Sequence, residues 1–200
     1  MQVPFSRLIR FRAPNGLSYY GQPILPPGIR DIAMARQAHV ITGDIWKNPT
    51  LTNHVADVRK LLSPLAPYHI GTVRCLGLNY RDHVEESNMP VPNEPVVFYK
   101  PFTAVTGPFN DILIPAIAQQ NPSLDYESEL VVVIGRQGKD VPESQALDFV
   151  LGYAAGNDVS HRHLQLERGG GQWSMGKGFD RWAPFGPGIV TKELTPTRRI

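Results

Sequence analysis

Asp125-Tyr126-Glu127-Ser128-Glu129-Leu130-Val131-Val132-Val133-Ile134 passes from three carboxylates at alternate positions into an unbroken apolar run. In an extended strand, residues i, i+2 and i+4 share a face, so Asp125, Glu127 and Glu129 point the same way. Three like charges on one face repel. A bound divalent cation relieves that repulsion, and hard oxygen ligands suit Mg²⁺ or Mn²⁺. The other reading of the same spacing is a solvated acidic strand end. The run after Glu129 is apolar enough to predict a strand buried on both faces, which sets the carboxylates at the mouth of a core element.

Working outward, Val96-Val97-Phe98-Tyr99 and Ile112-Leu113-Ile114-Pro115 read as short strands, and residues 73–78 as a buried one. Residues 142–151 read as a helix, with Ala146, Leu147, Phe149 and Val150 packing inward. Residues 152–159 read as a strand of small residues, which permit close approach of another backbone or a ligand. Asp158 at its end suits a metal ligand or a helix N-cap. Near the N-terminus, Phe5, Leu8-Ile9 and Phe11 alternate with Arg7, Arg10 and Arg12, and Asn15-Gly16 separates them from Leu17-Ser18-Tyr19-Tyr20. Strand-like runs flanking Asn-Gly predict a hairpin. Val55, Val58, Leu61 and Leu62 fall at helical spacing within residues 44–62, and Ser63-Pro64 would end that helix. The layout is mainly β, or α+β. Residues 1–70 form a small β-rich N-terminal domain and residues 71–200 a second, larger one.

The totals narrow the function classes. The chain has 200 residues, with 18 Gly and 19 Pro, a composition that favours turns and short strands over a helical bundle. A net charge of +2 without a basic run argues against nucleic acid. The single cysteine, Cys75, excludes an intrachain disulfide and reads as a small core residue. No apolar run approaches the ~20 residues that span a bilayer, and the first residues lack a signal-peptide core; a soluble cytoplasmic protein is expected.

Beyond the acidic strand, His83 and Glu86 lie three apart in a run that can be helical, where a carboxylate can hold an imidazole as a general base or merely pair with it on the surface. Lys177 sits between Gly176 and Gly178, where the backbone can approach a substrate closely. The spacing is not that of a P-loop. A serine hydrolase built on Ser160 with His161 or His163 lacks the Gly-x-Ser-x-Gly elbow.

Taken together and in order, these segments resemble the fumarylacetoacetate hydrolase (FAH) family. Gly77-Leu78-Asn79-Tyr80-Arg81-Asp82-His83-Val84-Glu85-Glu86 is similar to its GLNYxDHxxE signature. Glu94-Pro95-Val96-Val97-Phe98-Tyr99-Lys100-Pro101 is similar to EPxxFxKP. Asp125-Tyr126-Glu127-Ser128-Glu129-Leu130 is similar to DYExEL, Gly152-Tyr153 through Ser160 to GYxxxNDxS, and Trp173 through Asp180 to the Trp…Lys-x-Phe-Asp element. The resemblance implies a mixed β-roll and a homodimer. It implies Mg²⁺ (or Mn²⁺, Ca²⁺) held by Glu127, Glu129 and Asp158. His83 with Glu86 would activate water, and Arg162, Gln165 and Lys177 would bind substrate oxygens. The implied activity is divalent-metal-dependent C–C hydrolysis of a small β-dicarbonyl or 2-oxo acid such as an acylpyruvate. Oxaloacetate decarboxylation or tautomerisation at the same site is the alternative.

The family's later Thr/Gly-rich segment has no counterpart before Ile200, so the roll is expected to be incomplete at its C-terminus. A catalytically inactive, truncated homologue is a further expectation.

Overall fold

The computed structural model describes residues 3–87 and 90–195, apart from the side chains of His83, Glu86 and Ser87. Its strands are β1 (Arg7–Arg12), β2 (Ser18–Ile24), β3 (Gln37–Thr42), β4 (Thr50–Asp57), β5 (Lys60–Leu61), β6 (Val73–Gly77), β7 (Val96–Lys100), β8 (Val105–Thr106), β9 (Leu124–Asp125), β10 (Ser128–Ile134), β11 (Val150–Asn157), β12 (Ser160–His161) and β13 (Ala183–Thr191). Two short α-helices, α1 (Arg81–Ser87) and α2 (Ser174–Lys177), and a π-helical turn over His163–Arg168 complete the framework of the site. The fold is mainly β with a few helical turns, as the sequence predicts.

Nine of the described strands form one sheet. Its path runs β10-β11-β13-β1-β2-β3-β4, with β5 added to β1 and β8 to β13. The strand junction between the N-terminal and later segments is β1 against β13, with Arg7 opposite Val190 and Leu8 opposite Ile189. This explains why Leu8 and Ile9 are apolar in succession. Leu8 enters a core with Phe5, Ile41, Val133, Leu151 and Ile189. Ile9 and Phe11 enter another with Ile32, Ala38 and Leu61. The predicted hairpin is present, with Arg12 opposite Ser18 around Asn15-Gly16, where Gly16 takes φ +82° and the Asn15 side chain accepts from Leu17 N at 3.0 Å.

Several local expectations fail for physical reasons. The helix expected within residues 44–62 is instead β4 and β5. Thr50, Thr52 and Val55 are β-branched and lie flat on β3, and such side chains favour a pleated sheet. Residues 142–151 hold only a 3₁₀ turn, Glu143–Phe149, because Val150 and Leu151 are drawn into β11 and its core. The segment at residues 112–115 makes no strand; the Leu113 carbonyl accepts from Trp182 Nε1 at 2.7 Å instead. The strand from Glu129 is not buried on both faces. Among the described residues β10 pairs only with β11, so Val133 is buried while Leu130, Val132 and Ile134 are 49, 46 and 58% exposed. β6 likewise is only half-buried, in a two-stranded ribbon with β7.

The small residues of β11 do what their size suggests. A side chain at Gly152 would collide with the Val190 carbonyl of β13, and one at Gly156 would press on Val131 of β10 at 2.6 Å. β11 thus lies close between its neighbours and delivers Asn157 and Asp158 beside the start of β10.

Among the described residues, no helix is long and apolar enough to cross a membrane.

Candidate active site

Strand periodicity places the acidic run. Asp125, Glu127 and Glu129 are half-buried, while Tyr126 and Ser128 between them are exposed. The carboxylates therefore share one face, and Val131 and Val133 continue it into the core. Glu127 N donates to Asn157 Oδ1 (3.1 Å) and Asp158 N donates to the Glu127 carbonyl (2.9 Å), which ties the two acidic segments together.

Cations face these carboxylates. Lys177, at the end of α2, is buried and its Nζ lies 2.7 Å from Glu127 Oε2, 2.9 Å from Asp158 Oδ2 and 2.6 Å from Ser160 Oγ. The glycines around it are required. A Cβ at Gly176 would meet Gln165 N at 2.5 Å, so only glycine there lets α2 lie against the π-helical turn, and one at Gly178 would meet the Ser174 carbonyl of α2 itself at 2.8 Å. Arg162 donates from Nε (3.0 Å) and Nη2 (2.8 Å) to Asp125 Oδ2, and its Nη1 reaches Gln165 Oε1 (3.0 Å) and Glu127 Oε1 (2.6 Å). Lys100 lies 2.6 Å from Asp158 Oδ1 and donates to the carbonyls of Val159 (3.0 Å) and Trp182 (2.7 Å).

Charge balance follows. Burial alone would raise the Asp158 carboxyl, but the Lys100 and Lys177 cations outweigh it and hold the group below its usual range. Glu129 goes the other way: burial pushes it up, the neighbouring Asp158 and Glu127 charges add to that, and the Tyr80 hydroxyl opposes it. Burial depresses Lys100 against the pull of Asp158. Asp158 is no helix cap, since both its oxygens turn to lysines and β12 follows it.

Asp125, Glu127, Glu129, Asp158, Arg162 and Lys177 line a cleft of about 570 Å³ between the β6 end, β10 and α2, with Lys100 behind it. Leu78 at its rim takes φ +55°, an unusual conformation for a bulky residue and one that collects at functional sites. A side chain at Gly77 would collide with the Trp173 ring that covers it. Tyr80, on the same wall, accepts from Leu130 N at 3.2 Å. α1 leads away from this rim and carries positions 83 and 86; the side chains of His83 and Glu86 lie outside the described residues.

The structure brings Glu127, Glu129, Asp158, Arg162, Gln165 and Lys177 to one cleft. Among the described residues, no three His, Cys, Asp or Glu side chains stand together as a coordination group, and the Lys177 ammonium pairs with both Glu127 and Asp158. The donor set nonetheless fits a hard divalent cation: it is all oxygen and carries three negative charges, with Asp158 Oδ1 held by the Lys100 ammonium and Oδ2 turned to the cleft.

Sequence reasoning gave no role to Lys100, Ser160 or Asn157. The signal for Lys100 was available, since period 2 along β7 puts it on the face of buried Phe98. Ser160 and His161 do not form a hydrolase pair. His161 Nε2 is taken by the carbonyls of Ala118 and Asn121 at 3.0 Å, and its Nδ1 accepts from Leu164 N at 3.3 Å. Cys75 is half-buried, and burial pushes its thiol up to about 11, away from nucleophilic use.

Comparison with known proteins places the chain in a family. Residues 72–199 match the family description fumarylacetoacetate (FAA) hydrolase, C-terminal. The chain is 45% identical over 187 residues to a caffeoylpyruvate hydrolase of Neonothopanus nambi, covering 88% of this chain and 63% of that one. It is 43% identical over 137 residues to a mitochondrial oxaloacetate tautomerase, fahd2, of Xenopus laevis, covering 68% and 42%. The crystal structure of a 2-hydroxyhepta-2,4-diene-1,7-dioate isomerase from Mycobacterium marinum superposes with a TM-score of 0.73 at 36% identity, over 94% of this chain and 66% of that one. The chain thus spans less than two thirds of the length of these curated relatives, and it belongs to the fumarylacetoacetate hydrolase family.

Proposed function

We propose that the cleft binds a divalent cation, Mg²⁺ or Mn²⁺, and hydrolyses a C–C bond of a small acylpyruvate-like β-dicarbonyl acid. The observation that carries this reading is the convergence of Glu127, Glu129 and Asp158 with Lys177 and Arg162 in one cleft, in a chain similar over most of its length to a caffeoylpyruvate hydrolase.

Glu127, Glu129 and Asp158 would hold the divalent cation, which would supply Lewis-acid polarisation of the substrate. Lys177 then gives up its hold on Glu127 and Asp158 and turns its ammonium to a substrate oxygen. Arg162, fixed by Asp125 and Gln165, presents its remaining charge to the substrate carboxylate. His83, with Glu86 as its acid partner, would take a proton from water, and the hydroxide adds to the carbonyl remote from the carboxylate. The C–C bond breaks, a carboxylic acid leaves, and the enolate of the 2-oxo acid takes up the proton. We further propose a cytoplasmic homodimer in which residues 1–70 are the smaller of two domains.

The similarity to an oxaloacetate tautomerase favours a second reading, proton transfer at an oxo diacid by the same residues without water addition. The two are separated by incubating the purified chain with an acylpyruvate and with oxaloacetate, each with Mg²⁺ or with chelator. Release of pyruvate and free acid supports hydrolysis, and keto–enol exchange alone supports the tautomerase. Equal rates with and without chelator would contradict the cation in both.

A further inference from the structure

Lys100 is buried at the end of β7, 2% exposed, and its ammonium meets three oxygens. It donates to the carbonyls of Val159 (3.0 Å) and Trp182 (2.7 Å), and it stands 2.6 Å from Asp158 Oδ1. The ammonium is thus held within the protein by two hydrogen bonds and one buried ion pair. Lys177 takes the other oxygen of the same carboxylate, Oδ2, at 2.9 Å, and Lys177 lines the cleft. Asp158 therefore has one oxygen committed to the interior and one turned to the site.

We propose that Lys100 is a positioning residue that makes Asp158 a one-oxygen ligand and so biases the cleft toward Mg²⁺ over Ca²⁺. The inference rests on the cation reading above. Mg²⁺ demands near-ideal octahedral geometry, keeps several waters and needs only one or two carboxylates, whereas Ca²⁺ gathers six to eight oxygens and accepts both oxygens of a carboxylate. With Oδ1 occupied by a fixed ammonium, Asp158 cannot offer the second oxygen that Ca²⁺ would use. Lys100 also keeps the carboxylate from rotating, because its two carbonyl acceptors belong to the loop that carries Asp158 and to the Trp182 turn.

The test is calorimetric titration of the wild-type chain and Lys100→Gln with Mg²⁺ alone and Ca²⁺ alone. In Lys100→Gln, Mg²⁺ affinity should fall about tenfold or more, as when a group orienting a metal ligand is lost. Ca²⁺ affinity should fall less, so that the Ca²⁺-to-Mg²⁺ ratio rises. A lysine that only stiffened the loop would lower both affinities alike, and an unchanged ratio would overturn the proposal. Should Lys100→Gln fail to fold, infrared spectra of the wild type labelled with ¹³C-aspartate decide the matter. A Mg²⁺-induced aspartate band, lost in Asp158→Asn, should show the wide carboxylate splitting of one-oxygen binding. The narrow splitting of two-oxygen binding would overturn it. A wild-type chain that binds neither ion defeats the cation reading itself, a result distinct from binding with an unchanged ratio.

Discussion

Replacing Lys177 with methionine keeps an unbranched side chain, shorter by the ammonium nitrogen, and removes one buried charge. Lys177 makes ion pairs with Glu127 at 2.7 Å and Asp158 at 2.9 Å, with side-chain exposures of 15 and 10% for those carboxylates. Breaking a buried pair by removing one partner costs about 3–5 kcal/mol, because the other charge is left uncompensated. Here neither carboxylate is abandoned. Asp158 keeps Lys100 at 2.6 Å and Glu127 keeps the Arg162 Nη1 at 2.6 Å. The loss should fall at the low end, roughly 3 kcal/mol. For a chain of this size each kcal/mol moves the midpoint by about 2–4 °C, so Lys177→Met should melt about 6–12 °C below wild type. Lys100→Met should cost more, since it strands two backbone carbonyls as well as Asp158 Oδ1. The double variant should not be additive, because both lysines act on one carboxylate. The assay is thermal unfolding followed by circular dichroism at pH 7 and low salt. Lys177→Met melting with the wild type, or a Lys177→Met loss larger than that of Lys100→Met, would refute this account of the charge balance.

Other predictions test separate parts of the molecule. Trp182→Ala should cost about 3–5 kcal/mol in denaturant unfolding, since the ring is fully buried against Phe179 and its Nε1 serves Leu113. Gly176→Ala should disrupt α2 against Gln165 and lower the melting midpoint, whereas Gly71→Ala, whose Cβ would meet open space, should not. Burial lowers His69 below its ordinary 6.5, against the pull of Asp44. Between that lowered value and 6.5 the unfolded chain binds more protons, so the contribution is present above pH 6.5 and is lost as the pH falls through the window. The midpoint of wild type should therefore drop on acidification more than that of His69→Asn, and an equal drop would contradict the assignment.

How much of this was legible beforehand can be traced to particular residues. The Asn15-Gly16 hairpin was readable because turn chemistry is local. The shared face of Asp125, Glu127 and Glu129 was readable because strand periodicity is fixed at two, even across the short break between β9 and β10. Val55, Val58 and Leu61 misled because a sparse apolar set fits helical and extended spacing alike, and pairing of Val55 with β3 and Leu61 with β1 decided between them. The exposure of Leu130, Val132 and Ile134 was not readable, since an apolar run does not state whether its strand lies at an edge. Lys100 falls within the segment similar to EPxxFxKP, yet its role is not legible there, because its partners, Asp158 and the Val159 and Trp182 carbonyls, come from segments far along the chain.

The central claim, that Glu127, Glu129 and Asp158 form a seat for a divalent cation, is tested most directly by thermal unfolding with and without Mn²⁺ or Mg²⁺, then with oxalate added, for the wild type and Glu127→Ala. A cation that binds only the native state raises the midpoint. The account predicts a rise in the wild type that oxalate enlarges and that Glu127→Ala abolishes. A midpoint that does not move with either cation, or one that moves equally in Glu127→Ala, would contradict it.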